Sequence, residues 1–254
     1  IVSPSITSRY DPTSKDPFDS VIEYVQNFPY AVPNFDLRYT RQEIGIDVGY
    51  WRSVSHTPNC FAIESSIDEI AALASRDPLE FRRELLAAKP RHLKVLEIVA
   101  QRAGWGHAPK GHFQGIAFME GYTSHIAQIA EVSLEAGRLK IHKMTCVIDC
   151  GQVVNPRIVE SQLESGIVYG LSAALWGSVT LRNGRVQQRN FNDHRVLRLN
   201  EMPALDVHVI PGDARPGGVG ETAVPPVAPS ICNAIFAATG KRLRTLPIAA
   251  HKLI

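Results

Sequence analysis

The stretch Arg215-Pro-Gly-Gly-Val-Gly-Glu-Thr222 sets three glycines and one carboxylate in a single short loop. Gly217, Gly218 and Gly220 have no Cβ and permit positive φ, so a ligand can approach the backbone amides closely. Glu221 then lies beside that ligand, where a carboxylate can take a proton as general base. A surface turn with a solvated glutamate has the same local appearance, and short glycine motifs often match by chance. The rest of the chain has to decide between the two.

Two other stretches offer polar groups at breaks in apolar pattern. Arg52 follows Trp51 where an apolar, glycine-bearing run from Gln42 gives way to Arg52-Ser-Val-Ser-His-Thr-Pro58, read as a polar loop whose guanidinium and backbone face an anion, or as a surface arginine. Gln162 stands one turn before the small residues Ser165, Gly166 and Gly170, with an amide able to donate to a bound oxygen. His194 and His208 have no partner at metal-ligand spacing and read as structural or solvated. Cys60, Cys146, Cys150 and Cys232 are too scattered for a disulfide scaffold or a four-cysteine cluster, and read as buried thiols, with no metal ligand set on this chain.

These residues need elements to position them. A run of 254 residues at 44% hydrophobic content buries a sizeable core, in one large or two modest domains. With 27 basic against 25 acidic residues, nothing in the charge calls for nucleic acid or an anionic surface, and no apolar run reaches the length of a membrane span. Residues 1–40, with five prolines, read as a lead-in segment whose one helical stretch is Asp19 to Phe28, with Asp19 as N-cap. Residues 62–104 read as helical: Asp77-Pro78 starts one helix, Arg91 another, and Gly104 stops it. Arg82, Arg83 and Glu84 read as a solvated face.

After Gly111 the period changes to two. Gly115 to Met119, Ile126 to Leu134 and Leu139 to Asp149 read as strands, the last two joined by a hairpin through Glu135-Ala-Gly-Arg138. Val159 to Leu175 reads as a long helix, and Asn183-Gly184 as the turn of a hairpin over Gly177 to Gln188. Leu205 to Ile210 reads as the strand before the glycine loop. After the loop, Pro225, Pro226 and Pro229 are expected to keep the chain extended until a helix from Ser230 to Thr239. The fold class is α+β, with mixed sheets, β-hairpins and packed helices.

Gly49-Tyr-Trp-Arg-Ser-Val-Ser-His-Thr-Pro-Asn59, Asp149-Cys-Gly-Gln-Val-Val-Asn-Pro156 with Gln162-Leu-Glu-Ser-Gly166, and Gly218-Val-Gly-Glu221 occur in one order. Together they resemble the molybdenum hydroxylases, the xanthine dehydrogenase and aldehyde oxidase family. They look most like its branch of isoquinoline 1-oxidoreductase large (beta) subunits, from about Glu43 to Pro247. The resemblance implies the C-terminal part of a molybdopterin-binding domain over residues 41–254. It implies a molybdenum–pterin cofactor, in the cytosine dinucleotide form, and hydroxylation of an N-heterocycle or oxidation of an aldehyde with oxygen from water. Electrons would leave through iron–sulfur clusters on a small partner subunit.

By the same resemblance Glu221 would be the general base, Gly218 and Gly220 would bring backbone near the cofactor, and Gln162, Arg52 and Ser53 would line it. Trp51-Arg-Ser-Val-Ser55 stands where xanthine dehydrogenases have Phe-Arg-Gly-Phe-Gly, so the second aromatic that stacks on a purine is missing. Thr222 replaces a common proline. The family's Gly-Gly-Gly-Phe-Gly and Met-Gly-Gln-Gly stretches are absent. The rest of the cradle is therefore expected from an N-terminal part of the same subunit or from a separate chain. Otherwise the chain is a non-catalytic assembly module.

Overall fold

The computed structural model describes residues 22–40, 45 and 49–254. Among the described residues the helices α1 (His56–Leu73), α2 (Pro78–Leu85) and α3 (Pro90–Ala103) precede the sheet. They lead into β1 (His112–Gly121), β2 (Ser124–Glu135) and β3 (Arg138–Asp149), followed by α4 (Pro156–Trp176). A two-residue hairpin, β4 (Leu181–Arg182) and β5 (Arg185–Val186), precedes β6 (Ala204–Val209) and α5 (Val227–Thr239). The main sheet has the order β1-β2-β3-β6, antiparallel except where β6 runs parallel to β3 after the α4 crossover. Among the described residues no helix is long and apolar enough to cross a membrane.

Both faces of the sheet are covered, which explains why β2 is buried at nearly every position instead of alternating. On one face Met119, Ile126, Met144 and Ile148 pack with Leu163 and Ile167 of α4 and Ile231 and Ile235 of α5. On the other, Ile116, Phe118, Ile129 and Val147 pack with Val95, Leu96 and Val99 of α3. Helix α5 crosses β1 so closely that a Cβ on Gly115 would lie 2.1 Å from the backbone nitrogen of Ala234. Close approach also explains the small residues of α4. A Cβ on Gly166 would meet that of Ala223 at 2.8 Å, and one on Gly170 would meet Val227 Cγ2 at 2.8 Å.

Local signals behave as expected at several ends. The Asp77 carboxylate accepts from the amides of Leu79 and Glu80, Gly104 ends α3 at φ 61°, and Asn155 caps α4 by accepting from Ile158 N. Asn183 and Gly184 take positive φ in their turn, although the strands they join are only two residues each. Of the Asp19 to Phe28 helix, Asp19 lies outside the described residues; Ile22 is helical and Glu23 to Asn27 form turns. Most of the run from Gln42 also lies outside them.

Three expectations are corrected. Helix α1 begins at His56, inside the stretch read as a polar loop, and α5 begins at Val227, not Ser230. In both cases a proline, Pro58 or Pro229, sits at the third helical position, where the first turn leaves N–H groups unused and a missing donor costs nothing. Arg82 is not on a solvated face. It is fully buried, with Nε and Nη2 donating to Glu64 Oε2 at 3.1 and 3.0 Å. Tyr24 and Tyr30 donate to the other Glu64 oxygen, and Phe118 N–H donates to Oε2, so this carboxylate ties the lead-in segment, α1, α2 and β1 together.

Candidate active site

The β1–β2 hairpin turns through Tyr122 and Thr123, at φ 56° and 61°, and its tip holds the glycine loop. Gly218 N–H donates to the Tyr122 carbonyl at 2.7 Å, Ser124 Oγ donates to the Gly218 carbonyl at 2.8 Å, and Gly217 N–H donates to the Cys150 carbonyl at 2.8 Å. A Cβ on Gly217 would lie 2.3 Å from Ser124 Oγ, and one on Gly218 would lie 2.9 Å from Tyr122 Cβ. None of the three loop glycines takes a left-handed φ, so of the two freedoms that glycine offers the loop uses close approach. Gly220 differs from the others. The nearest atom to its missing Cβ is Gln162 Oε1 at 3.7 Å, so no packing contact within this chain demands glycine there.

The turn before α1 meets the loop from the other side. Ser53 and Val54 both have positive φ, 76° and 46°, an unfavourable conformation for a β-branched valine. It brings the Ser53 N–H to Glu221 Oε1 at 2.9 Å and the Ser53 hydroxyl to the Glu221 carbonyl at 2.5 Å. Arg52 spans the gap to α4: Nε donates to the Gly220 carbonyl at 2.7 Å, Nη1 to Ser165 Oγ at 3.0 Å and Nη2 to Gln162 Oε1 at 3.3 Å. The structure thus brings Arg52, Ser53, Gln162, Gly218, Gly220 and Glu221 to one place. His194 and His208 have no hydrogen bond to these residues among the described ones, and His194 lies on the wall of the groove that also takes in Trp51 and Ser165.

Two further groups had no readable signal beyond an aromatic at a hairpin tip and a histidine near Pro58. The Tyr122 hydroxyl is buried without a hydrogen-bond partner among the described residues. Its pKa is raised well above the usual tyrosine range by burial, and further by the negative charge of Glu221 and Glu23. The ring stacks on His56, centroids 4.6 Å apart. Burial pushes His56 down to about 4, against a smaller opposing effect of its backbone contact with Ser53. Beside the site, Trp51 stacks on Tyr169 at 4.8 Å, on the wall of a groove of about 920 Å³ that also takes in Ser165, Val168 and Phe191.

All four cysteines are buried and free, and burial pushes the thiols of Cys146 and Cys232 up to about 12, far from the thiolate a metal would need.

Residues 59–203 match the family model of the molybdopterin cofactor-binding domain. The chain belongs to this family. The matched span includes Gln162 but not Arg52, Ser53 or the glycine loop. Over 225 residues the chain is 34% identical to the isoquinoline 1-oxidoreductase subunit beta of Brevundimonas diminuta, covering 86% of this chain and 29% of that protein. It is 30% identical over 245 residues to the membrane-bound aldehyde dehydrogenase [pyrroloquinoline-quinone] of Gluconacetobacter polyoxogenes, covering 86% of this chain and 32% of that protein. The chain therefore spans about a third of the length of these curated relatives. The aldehyde oxidoreductase from Desulfovibrio desulfuricans superposes with a TM-score of 0.60 at 13% identity, over 78% of this chain and 40% of that one. This places the α+β fold among molybdopterin-binding domains, and the cofactor of the family is a molybdenum–pterin.

Proposed function

We propose that the 254 residues form the C-terminal part of the catalytic subunit of a molybdenum hydroxylase, with Glu221 as its general base. The observation that carries this reading is the fixed carboxylate: Ser53 N–H occupies Glu221 Oε1, which leaves Oε2 with no partner among the described residues and free to accept a proton.

The site fits a molybdenum–pterin group. Gly220 is exposed and has room where a Cβ would be, so a ligand atom can approach the backbone there. The amides of Val219 and Gly220 donate to no described residue, and Tyr122 offers a buried hydroxyl still without an acceptor. Gln162 and Arg52 stand on the far side of the same opening. When bound, the cofactor supplies the redox chemistry and the activated oxygen derived from water. The chain's residues do the rest. Ser53 orients the carboxylate, Glu221 takes the proton, Arg52 locks the Gly220 carbonyl to α4, and Gln162 donates from its amide to the cofactor. Ser53 and Val54 stand where purine-acting relatives have Gly-Phe, and loss of that second aromatic favours an N-heterocycle other than a purine, or an aldehyde.

Iron–sulfur clusters on a partner subunit and the cytosine dinucleotide form of the pterin belong to this proposal. A second reading, an assembly module that holds cofactor only with residues beyond these 254, is favoured by the missing Gly-Gly-Gly-Phe-Gly and Met-Gly-Gln-Gly stretches. Molybdenum content separates the two, measured for residues 1–254 alone and for the complete enzyme, alongside turnover of Glu221→Gln on a panel of heteroaromatics and aldehydes. A turnover loss of roughly a hundredfold to ten-thousandfold at normal molybdenum content is expected in the complete enzyme. Turnover within a few-fold of wild type at full loading would remove Glu221 from the chemistry.

A further inference from the structure

A second cluster of ligand-type side chains lies beside the turn of the β1–β2 hairpin, on the sheet face that α3 covers. Glu120 and His125 are cross-strand partners in β1 and β2, so their side chains leave the sheet on one face. His92, in the first turn of α3, covers that face from above. Its Nε2 lies 2.7 Å from Glu120 Oε2, and the His92 and His125 rings are 4.5 Å apart. One ligand atom from each of the three residues falls within 4.8 Å of the others. Both imidazoles are more than nine-tenths buried, and Glu120 is about one-third exposed, on the wall of a groove formed with Gln26, Phe28, Tyr30, Phe35 and Lys89.

An ordinary histidine–glutamate pair accounts for His92, but not for His125. His125 Nδ1 is buried with no hydrogen-bond partner, and Nε2 stands 3.8 Å from Glu120 Oε1, too far for a hydrogen bond. A buried imidazole with an unsatisfied nitrogen needs an explanation, and an absent ion is one. We propose that His92, Glu120 and His125 bind one divalent transition-metal ion, zinc before the others, as a site separate from the molybdenum centre.

The donor set suits the assignment. Two imidazoles and one carboxylate select zinc or a similar borderline ion over calcium or magnesium, which prefer all-oxygen shells. Bonds of roughly 2.0–2.1 Å place tetrahedral ligands about 3.3 Å apart. The three ligand atoms lie within 4.8 Å of one another, so shifts of up to about 1.5 Å reach that spacing. A water in the fourth position faces the groove. Among neighbouring charges, Asp149 engages Arg91 through two 2.8 Å hydrogen bonds, and this carboxylate offsets the guanidinium nearest the cluster. Among the described residues Lys89 is a further cation beside Glu120. A metal here would pin the two hairpin strands to α3 two residues from Tyr122, whose carbonyl holds Gly218.

The proposal does not depend on the role of Glu221. The test strips the full protein with chelator, titrates it with zinc chloride by calorimetry, and records the visible spectrum of the cobalt form. One zinc per chain is expected, with a tetrahedral cobalt spectrum. His92→Gln, Glu120→Gln and His125→Gln should each weaken zinc binding by more than about a hundredfold, beyond the loss seen for outer-shell partners. His112→Gln, in the separate pair with Glu131, should leave it unchanged. Absence of a saturable site, an octahedral cobalt spectrum in wild type, or equal weakening by His112→Gln would each overturn the assignment. Because the cobalt spectrum is read on wild type, it decides the matter even if a variant fails to fold.

Discussion

Ser53 holds Glu221 at two points, its amide on the carboxylate at 2.9 Å and its hydroxyl on the backbone carbonyl at 2.5 Å. The backbone of Ser53 achieves this only at φ 76°, so the contact costs conformational energy that glycine would not incur. Ser53→Ala keeps the amide contact and the unfavourable φ but loses the hydroxyl, and is expected to cost about 0.5–1.5 kcal/mol in urea unfolding. Ser53→Gly loses the same hydroxyl and relieves the backbone, so it should be the more stable of the two. The reverse order would show that the turn is held by something other than this pair.

Arg82 and Glu64 are both fully buried and tie four parts of the chain together. Arg82→Met removes the cation and leaves Glu64 charged in the core, facing two tyrosines that are themselves hard to ionise. The expected loss is about 3–5 kcal/mol, the range for breaking a buried pair from one side. Restoring charge balance with Glu64→Gln in the same chain should recover part of it. A double variant no better than Arg82→Met would mean that Arg82 acts through packing alone.

The contrast between Arg82 and Asp77 shows where sequence reading reaches its limit. Asp77-Pro78 and Gly104 act on amides within a few residues, so their roles follow from local pattern, as do the turns at Glu135-Ala-Gly-Arg138 and Asn183-Gly184. Arg82 sits in an Arg-Arg-Glu run that looks solvated, and only the docking of α2 on α1 turns one of its three charges inward. The same holds at the site. The glycine loop made Glu221 conspicuous, and family resemblance linked it to Arg52 and Gln162. Tyr122 and the His92–Glu120–His125 group arise from cross-strand pairing and helix docking, which leave no spacing to read.

His56 predicts a pH effect whose sign is opposite to that of a salt-bridged histidine. Its folded-state pKa, about 4, lies below the unfolded value of 6.5, so at pH above 6.5 neither state binds the proton and stability is unaffected. As pH falls from 6.5 to 4 the unfolded chain takes up a proton that the folded chain refuses, and stability declines; below 4 the loss is complete. Glu23, whose carboxylate is 3.3 Å from Nδ1, and Tyr122, stacked on the ring, are the groups that face it. His56→Gln should flatten the decline between pH 6.5 and 4 by roughly 2–3 kcal/mol, leaving the contribution of acids such as Asp149 at lower pH. Parallel curves for the two proteins would place the titration elsewhere.

Gly220 separates folding from cofactor binding more sharply than any other residue of the loop. Gly217 and Gly218 are pressed against Ser124 and Tyr122, so a side chain there disturbs the hairpin whether or not a cofactor is bound. Gly220 has only Gln162 Oε1 at 3.7 Å, an ordinary contact, and its φ lies outside the left-handed region. Within this chain Gly220→Ala therefore introduces no clash, and reduced freedom of the unfolded chain should raise stability by about 0.4–1 kcal/mol. If a molybdenum–pterin group lies against the backbone at this point, the same methyl group occupies its space, and molybdenum content of the complete enzyme should fall severalfold while melting of the cofactor-free protein stays at or above wild type. Normal molybdenum content in Gly220→Ala would place the cofactor away from this glycine and with it the proposed position of the Glu221 proton acceptor.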